Sequence, residues 1–197
     1  MSAAKSKKPT PSPDDLLVMA FEIVAETGWC GFSFHELAHR SEMTLAEMRQ
    51  IFRGKAAILD ALSLRLDDAM LGVDPEELAE LPSRDRVFEL IMSRLEAMAP
   101  FRAGLVRLSK EARRDPELAL TVGCRLDRSI AWLQDAAGFR SGGLRSRLQR
   151  HLLLGVYLKT LNAWTGDESV DLAKTMAALD KDLRRIENIA DLGDHGR

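Results

Sequence analysis

The chain has 197 residues, of which 46% are hydrophobic, and its 28 Lys and Arg against 30 Asp and Glu leave a formal net charge of −2, which excludes a general polyanion-binding protein. Its two cysteines, Cys30 and Cys124, exclude a disulfide scaffold and favour a reducing compartment, so we expect a cytoplasmic protein. The longest apolar stretch, residues 152–158, is far shorter than the roughly 20 residues that span a bilayer, so we expect no membrane partner.

The N-terminal segment is polar and rich in proline, without a recognisable targeting signal, and it predicts a disordered arm over residues 1–13. An amphipathic helix follows. Leu17, Phe21 and Val24 recur at spacings of three and four, and Gly28 suits the C-terminal end of that helix.

Two short helices with a tight turn between them are predicted next. Ser33 stands three residues before Glu36, the spacing of a capping box, at the start of a helix over residues 34–41. Thr44 and Glu47 repeat that spacing at the start of a second helix over residues 45–52. Helices this short are unstable alone and need neighbouring helices as a platform.

The second of these short helices has an apolar side, on which we expect Met48, Ile51 and Phe52 to face inward. Lys55 then opens a fourth helix whose apolar residues lie within the range 58–62.

This order of helices resembles the N-terminal helix-turn-helix domain of the TetR family of transcriptional regulators, over residues 14–60. The resemblance implies an all-α protein without a cofactor or catalytic residues. It would be a homodimeric regulator, expected to be a repressor, that binds palindromic double-stranded DNA and responds to a small apolar ligand. The residues that the resemblance places at DNA are Thr44, Leu45, Arg49, Gln50, Arg53 and Lys55.

Two features of this segment depart from the family. Glu42 stands at the turn where the family usually has glycine, and Glu47 would point a carboxylate towards the DNA. The stretch from Asp14 to Asp60 also holds four basic and eight acidic residues, whereas DNA-binding domains usually carry a basic surface.

A zinc-hydrolase motif is an alternative interpretation of the first short helix. His35, Glu36 and His39 match H-E-x-x-H, in which two histidines on one helix face bind zinc. The match lies in a short helix of the helix-turn-helix segment, and no third ligand is evident downstream. We therefore expect no metal site.

The remainder predicts a larger helical body over residues 61–190, followed by a tail over residues 191–197. Residues 75–83 are expected to be a linker and residues 138–143 a loop. Helices of the body are predicted over residues 87–98, 103–113, 118–137, 144–164 and 169–190, which gives about nine helices in the whole chain. The helix over residues 144–164 is apolar almost all round after His151, so we expect it to be buried.

The final helix carries an apolar seam with the spacing 4-3-4-3, typical of a coiled coil. We expect this seam to form a dimer interface; the alternative is that it packs only within its own chain. Its residues are Leu172, Met176, Leu179, Leu183 and Ile186.

A ligand pocket is expected in the helical body, because pockets between helices are usual small-molecule sites. The candidate lining residues are large apolar or aromatic side chains and one histidine: Phe88, Met92, Met98, Phe101, Trp132, His151, Tyr157 and Trp164. The alternative is that most of them are simply core. We expect His151 or Tyr157 to orient the polar end of the ligand, because a buried polar group needs a partner.

Residues 151–183 carry a second resemblance, to the Coq-type lipid-binding family that assists ubiquinone biosynthesis. The matching residues are Tyr157, Lys159, Thr160, Trp164, Asp167, Ser169, Asp171, Thr175 and Leu179. This resemblance implies an alternative function on the same fold, an isoprenoid or lipid carrier that does not bind DNA. The acidic N-terminal segment agrees better with this alternative than with tight DNA binding.

Overall fold

The computed structural model describes residues 11–139 and 142–190, with side chains as far as residue 187. These ranges form ten α-helices and no strand, so the predicted all-α class is confirmed. The helices are α1 Pro13–Gly31, α2 Phe34–Arg40, α3 Leu45–Ile51, α4 Lys55–Leu71, α5 Pro75–Glu80, α6 Ser83–Ala97, α7 Arg102–Ala112, α8 Pro116–Ala136, α9 Gly143–Thr165 and α10 Ala173–Ala190. A 3₁₀ turn over Ala99–Phe101 joins α6 to α7.

The ends of the chain differ from prediction where the structure describes them. The expected arm lies outside the described residues as far as residue 10, but Ser12 caps α1 and Pro13 is its first residue. The Ser12 hydroxyl accepts from the backbone N–H of Asp15, and the Asp15 carboxylate accepts from the N–H of Ser12. This reciprocal cap starts the helix earlier than the hydrophobic pattern indicates. The predicted tail lies outside the described residues.

The predicted linker contains a helix, α5. Asp74 accepts from the N–H of Glu76 at 2.8 Å, and Pro75 occupies the first helical position, where its missing N–H costs nothing. Leu78, on the inner side of this short helix, is buried. The run of proline and acidic residues is therefore a helix start.

Helices α1 to α3 form a head around an aromatic cluster. The Phe34 ring packs against two others, with centroid distances of 5.4 Å to Phe32 and 6.3 Å to Phe52. Met48 and Phe52 face inward as predicted, but Ile51 is 37% exposed, so its predicted burial is wrong. Helix α3 ends at Ile51, and the extended backbone of Phe52 turns that ring into the core in its place.

The head lies directly on the body through α1 and α7. Gly104 of α7 faces the backbone of Phe21, and a Cβ built there would lie 2.3 Å from the Phe21 carbonyl oxygen. Glycine is required at this crossing because any side chain would force the helices apart. Helix α4 continues from the head into the body, where it packs on α6 and α8.

The apolar seam of α10 lies inside the single chain. Leu179 and Leu183 are fully buried and Ile186 is 9% exposed, because α10 packs on α9 and α6. Leu172 and Met176 are half-buried against the same core. The predicted dimer contact is therefore wrong for Leu179, Leu183 and Ile186, which pack within their own chain as the alternative had it. For Leu172 and Met176 it stays a prediction.

Helix α9 leaves an apolar face uncovered instead. Leu144, Leu148 and Leu158 are 85%, 53% and 48% exposed. Leu158 lies after His151, so the prediction that this apolar part of the helix is buried is wrong on that side. The neighbouring helices cover the side of α9 that carries Leu153 and Tyr157. Across the described ranges, no helix combines the length and the apolar character needed to cross a bilayer.

Candidate DNA-binding surface and ligand cavity

The turn between α2 and α3 is tight and left-handed. Glu42 has a φ of 54°, in the region that glycine occupies most easily. The backbone N–H of Met43 donates to the carbonyl of Ala38 at 3.0 Å, and the Ser41 hydroxyl donates to the carbonyl of Leu37 at 2.7 Å. These bonds fix α3 relative to α2 and hold the Glu42 backbone in its unfavourable conformation.

The predicted capping box of α3 is confirmed. The Thr44 hydroxyl accepts from the N–H of Glu47 at 3.2 Å, and the Glu47 carboxylate accepts from the N–H and the hydroxyl of Thr44, each at 2.8 Å. The carboxylate is thus folded back on the start of its own helix. That Glu47 points a carboxylate towards the DNA stays a prediction, but capping gives this charge a local partner in Thr44.

Helix α2 is capped differently. The Ser33 hydroxyl accepts from the N–H of Glu36 at 3.2 Å, as predicted. The Glu36 carboxylate, however, accepts from Nε of Arg40 at 2.7 Å. Arg40 also binds Glu26 through both terminal nitrogens, at 2.9 and 2.6 Å. These bonds raise the pKa of Arg40 further and lower the pKa of Glu26.

Most of the acidic residues counted in the head have partners. Asp14 pairs with Arg65, Asp60 pairs with Arg125 at 2.8 Å, and Asp15 caps α1. Together with Glu26, Glu36 and Glu47, at least six of the eight carboxylates form an ion pair or accept a hydrogen bond. Only Arg65 and Arg125 come from outside the counted segment, so they offset two of its four excess negative charges, whereas Arg40 is already among the four basic residues.

The solvent-facing side of α3 brings the predicted DNA contacts together. Met48 is buried, and the other six residues of α3 are exposed, including Leu45, Arg49 and Gln50. Thr44 and Arg53, just before and after the helix, are also exposed. A short helix with one buried residue and a free polar side has the form of an element that enters a DNA groove.

Lys55 is only half-exposed, and its ammonium is already engaged. Nζ donates to the carbonyl oxygens of Trp29 and Cys30, at 3.2 and 3.3 Å, and lies 5.8 Å from the centroid of the Phe32 ring. These contacts join the start of α4 to the end of α1 and use two of the three N–H donors of the ammonium.

The H-E-x-x-H residues do not converge on a common point. Glu36 is engaged by Arg40, and His35 and His39 are exposed. The described residues contain no group of three or more His, Cys, Asp or Glu that could hold a metal ion.

A cavity of about 490 Å³ lies between α4, α7, α8 and α9. Its wall is mostly apolar, and α4 contributes Leu59, Leu62 and Leu66 to it. Leu108 lines it from α7 and Leu126 from α8. This volume and lining are within the usual range of small-molecule sites.

One end of the cavity is a buried polar cluster around Arg94, which is 3% exposed. Its Nε donates to the Tyr157 hydroxyl at 2.9 Å, its guanidinium pairs with Asp67, and one terminal nitrogen donates to the Ser129 hydroxyl at 3.2 Å. Ser129 in turn donates to Asp67 at 3.0 Å. Because each charge has a partner, the cluster can remain buried.

The structure agrees with three of the eight predicted pocket residues. Met98, Tyr157 and Trp164 line the cavity. Met92 and Phe101 are buried in the core elsewhere, and Phe88 is half-buried against it.

The two remaining predictions, Trp132 and His151, are wrong because both residues are at the surface. Trp132 is 53% exposed, and the exposed His151 places Nδ1 2.6 Å from the carbonyl oxygen of Arg147. Of the two polar candidates, only Tyr157 is at the cavity.

The leucines of α4 and three arginines of the cavity, Arg94, Arg113 and Arg125, were not predicted. For Arg94 the sequence does hold a signal, because this residue interrupts an otherwise apolar helix face.

Comparisons with known proteins agree with both resemblances. The chain is similar to a TetR transcriptional regulator from Nitrosomonas europaea, with 27% identity, a TM-score of 0.73 and coverage of 89% of this chain and 97% of that one. PfmR from Thermus thermophilus, a TetR-family transcriptional regulator, has 19% identity, a TM-score of 0.51 and coverage of 86% and 97%. GusR from Salmonella enterica has 20% identity, a TM-score of 0.55 and coverage of 93% and 98%. The chain therefore has the fold of TetR-family regulators.

The C-terminal region gives a different match. Residues 133–193 match the family described as COQ9, whereas no curated protein matches the chain significantly. Many residues behind this second resemblance have structural roles. Asp167 accepts from the N–H and the hydroxyl of Thr175 at the start of α10, and Thr160 and Leu179 are fully buried. Only Tyr157 and Trp164 of that set line the cavity.

Proposed function

We propose that this chain is a homodimeric DNA-binding transcriptional regulator, a repressor, whose affinity for DNA is set by a ligand in the cavity. Helix α4 carries the proposal. It begins beside the helix-turn-helix head at Lys55, and further along Leu59, Leu62 and Leu66 line the cavity. A ligand that contacts these leucines would bias the position of the head directly.

In this proposal residues 14–60 bind DNA and residues 61–190 hold the ligand and the second subunit. Leu45, Arg49 and Gln50 approach the bases from the free side of α3, and arginine and glutamine suit the donor and acceptor pattern of the major groove. Arg53 and the remaining N–H donor of Lys55 bind phosphates. Thr44 donates its single O–H to Glu47, so it would reach a phosphate only by giving up that bond. The partners found for most of the acidic residues support this assignment.

The dimer contact is reassigned from the buried seam of α10 to the uncovered face of α9. We define this α9 face by Leu144, Leu148, Gly155 and Leu158, which are spaced to return to one side of the helix. Leu158, at one end of this face, also lines the cavity. A Cβ built on Gly155 would meet nothing within 4 Å, so the face is open there. The occupant is a second copy, because palindromic half-sites one helical turn apart need two heads related by a two-fold axis.

A lipid or isoprenoid carrier that does not bind DNA is the second candidate. The match of residues 133–193 to COQ9 favours it, together with the apolar wall of the cavity. The exposed arginines around α3 favour the regulator.

The test is fluorescence anisotropy of a labelled random-sequence duplex at low salt, followed by a salt titration. A regulator binds, and the logarithm of its affinity falls linearly with the logarithm of salt concentration because phosphate contacts release counterions. Arg53→Ala should make the slope shallower by about one phosphate contact. A folded protein without measurable binding at low salt, purified with an apolar molecule visible by mass spectrometry, would support the carrier.

A further inference from the structure

The charges around the cavity all have one sign. Three arginines, Arg94, Arg113 and Arg125, line it, and no Asp or Glu is among the described lining residues. Arg94 and Arg125 are largely buried beside this otherwise apolar space, where electrostatic interactions are stronger than in water.

Two of these arginines form ion pairs with aspartates that do not line the cavity. Arg94 pairs with Asp67, and Arg125 pairs with Asp60 at 2.8 Å. Arg125 also donates to the carbonyls of Thr121 and Ala56, at 2.8 and 3.1 Å. These guanidiniums are part of the wall, and their charges are already balanced.

Arg113 is different. It follows the last residue of α7, lines the cavity and is exposed, so the cavity lining reaches solvent there, and we call this part of the cavity the mouth. A terminal nitrogen of Arg113 donates to the side-chain oxygen of Asn162 on α9 at 2.8 Å. Asn162 is a neutral acceptor and also lines the cavity. None of the ion pairs formed within residues 11–139 and 142–187 includes Arg113. Its charge at the mouth is therefore unbalanced.

We propose that the cavity takes an amphipathic monocarboxylic acid, whose carboxylate binds Arg113 at the mouth. The acid displaces the Asn162 side chain as acceptor, and its apolar part extends inward past Leu161 and Trp164 towards α4. This inference rests on the proposed function only in treating the cavity as a ligand site.

The geometry favours a monoanion. A planar guanidinium binds a carboxylate through two parallel hydrogen bonds. One unbalanced arginine matches one negative charge, whereas the second charge of a phosphate monoester would have no partner among the three lining arginines. An uncharged ligand would leave Arg113 bound to Asn162, so Arg113 would add nothing to its affinity.

The experiment is isothermal titration calorimetry of the full chain with three ten-carbon probes below their micelle concentrations: decanoate, 1-decanol and decyltrimethylammonium. We expect decanoate to bind up to about fivefold more tightly than either other probe, because Arg113 is exposed and solvent weakens its pairing with the carboxylate. Arg113→Gln should remove this preference by lowering the decanoate affinity to that of decanol. Arg113→Lys, which keeps the charge without the planar fork, should retain part of it.

The matched control is Arg114→Gln, an exposed arginine next in the chain that does not line the cavity. It should leave the preference unchanged. Equal binding of decanoate and decanol, an unaltered preference in Arg113→Gln, or no binding of any probe would each overturn the ligand class. These outcomes leave DNA binding untouched, since that is measured by anisotropy without any probe, so the two proposals can fail separately.

Discussion

The carboxylate of Glu111, on α7, accepts the backbone N–H of Trp29, at the end of α1, over 2.9 Å. It also accepts the N–H of Cys30 at 3.3 Å, while Lys55 of α4 donates to the carbonyls of the same two residues. The end of α1 is thus held between a cavity-lining helix of the body and the first residue of α4.

This arrangement connects the cavity to the head through α7, in addition to the connection through α4. Leu108 and Ala112, on either side of Glu111 along α7, line the cavity. Burial works to raise the pKa of Glu111, but the Arg107 guanidinium and the two backbone N–H groups outweigh it, so the pKa lies below the ordinary value. Glu111 is therefore charged at neutral pH, and a shift of α7 would act on the end of α1 through it.

Glu111→Ala should loosen the end of α1. Both N–H groups lose their acceptor, and we expect the free energy of unfolding to fall by about 1–3 kcal/mol. Amide hydrogen exchange at Trp29 and Cys30 should become faster. The control Arg107→Gln removes only the exposed ion pair at 2.9 Å and should cost at most about 1 kcal/mol. Unchanged exchange in Glu111→Ala would contradict this role.

Gly104→Ala should weaken the packing of the head on the body. The added Cβ would lie 2.3 Å from the carbonyl oxygen of Phe21, so α7 must move, at a cost of about 1–3 kcal/mol measured by urea unfolding. Gly123→Ala, on α8, adds a Cβ with nothing within 4 Å and should stabilise the chain by up to about 1 kcal/mol. Effects of the same sign and size at both positions would count against the close crossing.

The reassigned dimer interface predicts opposite outcomes for two leucine-to-aspartate variants. Leu148→Asp changes an exposed residue, so the protein should fold, with a normal circular dichroism spectrum, but sediment as a monomer. Leu183→Asp places a charge in the core, where the lost packing alone costs about 2–5 kcal/mol, so the protein should unfold. A folded monomer from Leu183→Asp, or a dimer from Leu148→Asp, would contradict the reassignment.

Asp167 should make stability depend on acid pH. Hydrogen bonds from Ser169 and Thr175 lower the pKa of its carboxyl below the ordinary 3.8. The charged form therefore stabilises the folded chain above about pH 3.8, and this contribution is lost as the pH falls further towards the folded-state pKa. Asp167→Asn should lower the melting temperature at pH 7 by several degrees.

The difference in melting temperature between Asp167→Asn and the unaltered protein should become smaller below pH 3.8. The control is Asp171→Asn, which removes the charge of an exposed residue that accepts one backbone bond at 3.3 Å. It should change little at any pH. A difference for Asp167→Asn that grows as the pH falls would have the wrong sign for a lowered pKa.

The sequence predicts most of the fold because its signals are local. The caps at Ser33 and Thr44 and the apolar spacing of α6 are set by neighbours within one or two turns, and each appears where predicted. Asp74 and Pro75 carried an equally local helix signal, but they stand in a segment that is also typical of a linker.

The cavity was harder to predict because it depends on which side of each helix meets another. Trp132 and His151 lie on helices with apolar residues on more than one side, and spacing alone does not choose the buried one. Likewise, α9 and α10 each have an apolar stripe, and only the packing of the whole body shows that the α10 stripe is covered and part of the α9 stripe is not.

The measurement that tests the central claim most directly is selection of bound DNA from a mixed pool of random and genomic fragments at low salt, using the purified protein. We expect enrichment of a palindrome whose half-sites lie about one helical turn apart. Arg49→Ala should abolish that enrichment, whereas Arg114→Gln should preserve it. A folded, dimeric protein that enriches no sequence would contradict the regulator.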